Sequence, residues 1–273
     1  MKDITIFFTG HNIKDYISLS INSLLYFHPE YKKNIVYVDD NSNDNTIDIL
    51  KSNNIKIIEW KPSEYLHETI DMSYRVSCIY KEIFEQCKTR YLMINDGDIV
   101  FYDKIKYNYS ELIQEYPLLF DILPVVDGSY KRNCKYNKYL YKNNTYYRAY
   151  PCHMIFDMEY LRKNNIYEFD DITEDWKIDS IFLDLGADFL YKVFHNKLKY
   201  MRIRFEFEYI YHFGFTSCLK RLEENDTQLT NHIQLLLSKD RFLSFYDENI
   251  KFKYIMNLYG KNVINNLTRS NLC

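Results

Sequence analysis

Glycine is scarce in this sequence, six in 273 residues, which argues against a phosphate site built from a glycine-rich loop. The six cysteines, Cys78, Cys87, Cys134, Cys152, Cys218 and Cys273, form no CxxC pair and show no zinc-site spacing. They read as reduced, mostly buried thiols of a reducing compartment. No run approaches the ~20 apolar residues that span a bilayer. Met1 to Phe8 reads as a short apolar strand interrupted by Lys2 and Asp3, not as a signal peptide. The expectation is a cytoplasmic protein whose membrane contact, if any, is peripheral. There is no strong excess of charge either: the formal net charge is −3, which gives no general case for nucleic-acid binding.

What is present is enough to fold. Hydrophobic residues make up 47% and charged residues 27%, so a sizeable core can form and wholesale disorder is excluded. The length suits one large domain, or one domain plus an appendage. Tyrosine is abundant at 28 residues; most of these read as core, although a tyrosine face can also stack on a sugar or a nucleobase.

The first hundred residues alternate strand and helix. Ile4 to Phe8 is a continuous apolar run, as in a strand buried on both faces. Asp15 to Leu25 carries apolar residues at helical spacing. Asn34 to Val38 is a second strand, and Asp44 or Asn45 caps a helix through Leu50. Ile55 to Glu59 is a third strand, Thr69 to Cys87 a long helix and Arg90 to Ile94 a fourth strand. The alternation predicts a mostly parallel sheet with helices on both faces and a ligand site at the strand ends. Beyond it, Leu118 to Val126 and Cys152 to Phe156 read as strands and Met158 to Lys163 as a short helix. Tyr130 to Tyr150 reads as a polar loop. Asp175 to Leu185 reads as a helix, Ala187 to Val193 as a strand, Arg202 to Tyr211 as a half-exposed strand, and the chain from Leu219 onward as helical. No internal repeat or clear linker divides the chain.

Four segments carry candidate chemistry. In VYVDDNSNDNT, Asp39 and Asp40 follow a buried strand, where a carboxylate can accept hydrogen bonds from a ribose or from the N–H edge of a base; Asp44 and Asn45 serve as helix caps. In YLMINDGDIVF, an apolar strand runs into Asp96-Gly97-Asp98. Residues i and i+2 of an extended chain point the same way, so both carboxylates can face one divalent ion, Mg²⁺ or Mn²⁺. DGD is also ordinary turn chemistry. FDDITEDW supplies Asp170, Asp171, Glu174 and Asp175, either as a source of a general base or as an acidic helix start. In YHFGFTS, His212 follows a strand and stands near one of the few glycines.

The order ITIFFTGHN, VYVDDNSNDNT, YLMINDGDIVF and FDDITEDWKID resembles the GT-A glycosyltransferases of family 2 over roughly residues 4 to 217. The resemblance implies a GT-A domain over 1–217, with a nucleotide-binding half 1–100 and an acceptor half 101–217, followed by a helical extension over 218–273. It implies that Asp39 reads the nucleobase with Asp40 near it, that Asp96 and Asp98 serve the ribose, diphosphate and metal with Asp98 the direct ligand, and that His212 joins the metal or diphosphate. It implies nucleotide contacts at Thr9 and Asn12. Arg75 is either a basic nucleotide contact or a surface salt bridge. By the same resemblance Asp175 is the catalytic base, with Glu174 second and Asp171 third, in a single displacement that inverts the anomeric carbon.

The sequence departs from the family where P-x-Y-N would stand, since it has Thr9-Gly10-His11-Asn12. The expected partners are a UDP-, GDP- or dTDP-sugar donor and a glycan, lipid-linked or protein acceptor, without nucleic acid. A retaining GT-A transferase is the nearest alternative, followed by a nucleotidyltransferase or an inactive sugar-binding relative. The Tyr- and Lys-rich stretch Tyr130 to Tyr150 is either an anionic-acceptor site or a solvated loop.

Overall fold

A computed structural model describes residues 3–61, 72–125, 141–142, 145–166, 185–214 and 239–269. The strands are β1 (Ile4–Gly10), β2 (Ile35–Asp40), β3 (Lys56–Trp60), β4 (Tyr91–Asp96), β5 (Ile99–Phe101), β6 (Leu118–Val125), β7 (Tyr141–Lys142), β8 (Thr145–Asp157), β9 (Tyr200–Arg202) and β10 (Ile210–His212). The helices are α1 (Lys14–Phe27), α2 (Thr46–Ser52), α3 (Met72–Gln86), α4 (Tyr109–Glu115), α5 (Met158–Lys163), α6 (Leu185–His195), α7 (Ile250–Tyr259) and α8 (Lys261–Arg269), with a further helical stretch at 239–248. The main sheet runs β3-β2-β1-β4-β8-β6-β9, with β7 on β8, and β5 and β10 form a separate pair. The α/β class and the strand–helix alternation of the first hundred residues are as expected. What the alternation did not foretell is β8, which pairs antiparallel with β4, β6 and β7.

The chain divides into two compact units. The first comprises Met1–Phe7, Pro62–Asn95 and Tyr107–Arg204. Its strands are continuous apolar runs: Leu92, Met93 and Ile94 of β4 and Leu118, Leu119 and Phe120 of β6 are all fully buried, as two-sided burial requires. Here β4 and β8 set Asn95 opposite His153, and the His153 Nδ1–H donates to Asn95 Oδ1 at 2.6 Å. Burial alone pushes the His153 imidazole down to a pKa of about 3, so it is neutral.

Three readings of the chain beyond residue 100 are corrected. Ala187 to Val193 is not a strand but part of α6, because the buried residues Phe189, Leu190 and Val193 recur at helical rather than alternate spacing. Tyr130 to Tyr150 is not a loop throughout: Tyr141 pairs with Tyr146 and Lys142 with Thr145, and Thr and Tyr favour such a ribbon. Residues 126–140 and 143–144 lie outside the described residues. Arg202 to Tyr211 is not one strand. β9 ends at Arg202, a 3₁₀ turn follows at Phe205–Phe207 and β10 begins at Ile210. Both Glu208 N and Tyr209 N donate to the Phe205 carbonyl, and the buried Phe205 and Tyr209 rings meet edge to face at 5.8 Å; that is the spacing of a helical turn.

The second unit comprises Phe8–Lys61, Asp96–Lys106 and Phe205–Cys273. β2 and β3 pair in parallel, and β5 and β10 pair antiparallel with His212 opposite Ile99. Around that pair lies an aromatic core in which Val100, Tyr102, Tyr211, Phe213, Phe242 and Phe252 pack with Leu19 of α1 and with Ile255, Met256, Val263 and Leu267 of the last two helices. The expected helical tail is seen over 239–269; residues 219–238 are outside the described set.

Scarce glycine leaves its mark on the turns. Among the described non-glycine residues, Asn12, Asn41, Asn54, Asn165 and Lys197 hold positive φ between 50° and 56°, a region asparagine tolerates better than most. Three of them end helices. After α2, Ile55 N donates to Leu50 O and Asn54 N to Lys51 O. The same pair of bonds recurs with Ile166 and Asn165 after α5, and with Leu198 and Lys197 after α6. This is the Schellman arrangement, with asparagine or lysine where glycine is usual. Of the six cysteines, Cys87 and Cys152 are buried and Cys78 is half-buried, all three as free thiols. No helix among the described residues is long and apolar enough to cross a membrane.

Candidate metal and nucleotide site

β4 ends on Asp96 and β5 begins at Ile99, so Asp98 lies in the tight link between them. The middle residue of that link has no room for a side chain. A Cβ on Gly97 would stand 2.1 Å from Ile13 Cδ1 and 3.0 Å from the Thr9 carbonyl, to which the Gly97 N–H already donates at 2.7 Å. The glycine of DGD is therefore required by packing.

α1 fastens the same link. The buried Ser20 hydroxyl lies between the carbonyls of Gly97 and Ile99, and Ser23 accepts from Phe101 N and donates to Ser20 O. Neither serine was singled out from the sequence. The available signal was two small polar residues, three apart, on the apolar side of α1 among Ile17, Ile21 and Leu24.

His212 arrives from β10, held by that strand's pairing with β5 and by Phe213 N donating to Asp98 O at 3.1 Å. Its Nε2 is 3.1 Å from Asp98 Oδ1 and 3.4 Å from Asp96 Oδ2. Burial would push this imidazole down, but the Asp98 charge and the hydrogen bonds to both carboxylates outweigh it, and its pKa is pushed up to about 10. The two carboxylates thus favour the charged imidazolium form of His212. One ligand atom from each of the three residues lies within 4.8 Å of the others. Ligands bonded to one ion at ~2.1 Å stand roughly 3 Å apart, so the donor set fits a divalent cation. Asp98 and His212 are buried, while the Asp96 side chain stays 30% exposed and open to a ligand.

The acidic pair is more deeply set than its position after the strand suggested. Asp39 and Asp40 are the last two residues of β2, and both are buried. Asp39 Oδ2 accepts from Ser42 N at 2.9 Å, whereas Asp39 Oδ1 finds no hydrogen-bond partner among the described residues. Burial raises the Asp39 pKa, against the Ser42 hydrogen bonds that lower it. An uncompensated buried carboxylate oxygen is costly. The Thr9 hydroxyl, at the end of β1, is likewise buried without a partner among the described residues. Tyr37 lies near both acidic groups: after burial itself, the charges of Asp39, Asp40, Asp44 and Asp98 all raise its pKa.

The TGHN turn holds these pieces in place. His11 Nδ1–H donates to the Asp40 carbonyl at 2.8 Å, which leaves Nε2 to accept from Asn12 Nδ2 at 3.1 Å. Asn12 Oδ1 accepts from Asn43 N and Asp44 N, its Nδ2 also donates to Asn43 Oδ1, and its own N–H donates to Ser42 Oγ. Asp44 caps α2 through Thr46 N and reaches Lys14 N at the start of α1. Asn45 makes no side-chain cap.

Thr9, Asn12, Asp39, Asp40, Asp96, Asp98 and His212 thus all belong to the second unit, together with His11, Ser20, Ser23 and Ser42, to which sequence reasoning gave no role in the site. Arg75 belongs to the first unit, where it is buried on α3. Asp170, Asp171, Glu174 and Asp175 lie outside the described residues.

No protein-family model and no curated protein matches the sequence. Among solved structures the chain is similar to a galactosyltransferase, LgtC, in complex with donor and acceptor sugar analogues, at 14% identity, 72% of each chain and a TM-score of 0.48. It is similar to S. aureus TarS 1-349 in complex with UDP, at 16% identity, 92% of this chain, 73% of that one and a TM-score of 0.47. It is also similar to core-mannan synthase A from Aspergillus fumigatus in its Mn/GDP form, at 11% identity, 70% of this chain, 69% of that one and a TM-score of 0.46.

Proposed function

We propose that this chain is a GT-A glycosyltransferase that moves a sugar from a nucleotide-sugar donor to a hydroxyl of a glycan, lipid-linked or protein acceptor. The observation that carries the reading is the convergence of Asp96, Asp98 and His212 at the β4–β5 link. Two carboxylate oxygens with an imidazole nitrogen favour Mn²⁺ over Mg²⁺, which prefers oxygen alone. A cation held there neutralises charge on a diphosphate leaving group. The unpartnered Asp39 Oδ1 accepts from an N–H of the base, which suits a UDP-, dTDP- or GDP-sugar, and Asp40 and Thr9 complete the nucleotide side.

Asp175, with Glu174 as its neighbour, takes the proton of the acceptor hydroxyl. The acceptor oxygen bonds to the anomeric carbon as the carbon–oxygen bond to the diphosphate breaks, and configuration inverts. A thermal-shift panel of UDP-, GDP-, dTDP- and CMP-sugars, with and without Mn²⁺, tests the reading. The expected result is stabilisation by one nucleotide class only when the metal is present. If no nucleotide sugar moves Tm under either condition, the reading fails.

A further inference from the structure

β10 is supported by a strand on one side only. It pairs antiparallel with β5, Tyr211 opposite Val100 and His212 opposite Ile99, and among the described residues no strand lies along its other side. Tyr209 O accepts from Tyr102 N, and Phe213 N donates to Asp98 O. Backbone groups of an antiparallel strand alternate in direction, so those of Tyr209, Tyr211 and Phe213 face β5 and those of His212 face away. The residue that brings the imidazole to Asp96 and Asp98 therefore has a carbonyl that β5 does not reach. It also stands close to the strand's end, since Gly214 turns away at a φ of 78°.

Arg241 occupies that side. Its Nη1 donates to the His212 carbonyl at 3.1 Å, and its Nη2 pairs with the Glu206 carboxylate. The guanidinium also lies over the Tyr211 ring, 5.1 Å from the centroid. Both ends of this clasp are anchored. Glu206 sits in the 3₁₀ turn, where its carbonyl accepts from the Tyr102 hydroxyl at 3.1 Å. Arg241 belongs to the helical stretch at 239–248, and its neighbour Phe242 is buried and stacks on Phe213 at 5.8 Å. A planar guanidinium can serve a carbonyl, a carboxylate and an aromatic face at once, whereas an ammonium is a single point of charge.

We infer that Arg241 is a positioning residue for the metal centre: by clasping the open side of β10 it fixes the backbone of His212, and with it the approach of Nε2 to Asp98 and Asp96. The inference rests on the proposed role of those three residues as metal ligands. Its sign is opposite to what charge alone predicts. A guanidinium beside a cation site repels the cation, so if Arg241 acted through its charge, removing it would strengthen Mn²⁺ binding. Positioning predicts a weakening of about 10-fold, the usual effect of losing a group that orients a ligand. The Arg241 side chain is 43% exposed, so its removal opens no hole in the core and the alanine variant should fold.

The test is direct Mn²⁺ titration of the full chain as wild type, Arg241→Ala, Arg241→Lys, His212→Ala and the double variant Arg241→Ala/His212→Ala. The expected result is about 10-fold weaker binding in Arg241→Ala, and a similar loss in Arg241→Lys, which keeps the charge but not the fork. Without His212 the arginine has no ligand to position, so its removal should cost the double variant nothing beyond His212→Ala. A general loosening of the chain would instead weaken binding equally with and without His212. Unchanged or tighter binding in Arg241→Ala overturns the inference, as does full affinity in Arg241→Lys or an equal loss in both backgrounds. If wild type and His212→Ala bind Mn²⁺ alike, the metal role of His212 itself fails and the inference falls with it.

Discussion

The Ser20 hydroxyl lies 2.6 Å from the carbonyl oxygen of Gly97. It also lies 2.5 Å from the carbonyl of Ile99, so one proton serves two acceptors across the link that holds Asp98. We expect Ser20→Ala to cost about 1–2 kcal/mol of stability by leaving those buried carbonyls short of a donor. It should also weaken Mn²⁺ binding about 10-fold, as removal of supporting groups around a metal site does. Direct Mn²⁺ titration of the folded variant reads this; unchanged affinity would show that the link keeps its shape without the serine.

Asp98→Ala should abolish transfer and remove the Mn²⁺-dependent stabilisation by nucleoside diphosphate. His212→Asn should weaken that stabilisation while leaving the fold in place. Undiminished activity of the Asp98 variant in EDTA would sink the metal reading.

Asp175→Asn should bind donor normally and lose about 10²–10⁴-fold in turnover, the ordinary worth of a general base. Near-normal turnover would move the role to Glu174 or point to retention of configuration, and the anomeric configuration of the product separates those outcomes.

His153 gives a pH prediction with a definite sign. Its pKa is about 3 in the folded chain against an ordinary value of 6.5, so between those values the unfolded chain binds a proton that the native one refuses. The stability linked to this group is complete above pH 6.5 and declines as the pH falls toward 3, by at most about 1.4 kcal/mol per pH unit. Denaturant titrations from pH 7 to pH 4 should show a shallower decline in His153→Gln than in the wild type. Parallel slopes would mean that the imidazole is protonated in the native state.

The strands of the first hundred residues and both acidic motifs were legible because buried apolar runs and strand-end carboxylates are local patterns. The hairpin of β7 and β8 was hidden among tyrosines and lysines that look like loop, and the pairing of β8 with β6 is not reported by any local spacing. The alternation of Arg204, Phe205, Glu206 and Phe207 imitated a strand, while Phe205 and Tyr209 packed as a turn. In the site the charged groups were visible in advance and their supports were not. Ser20, Ser23 and His11 act through backbone atoms of residues far away in sequence, and no local spacing reports that.

Helices ended by Asn54, Asn165 and Lys197 leave this protein with headroom for stabilisation. A left-handed residue with a side chain is strained by roughly 1–2 kcal/mol, least for asparagine, so Lys197→Gly should raise stability by about 1 kcal/mol in denaturant unfolding. A fall in stability would mean that the lysine side chain repays the strain. Such headroom lies at helix ends rather than among the site residues, so a destabilising change at one place can be offset at another without touching the Asp96, Asp98 and His212 cluster.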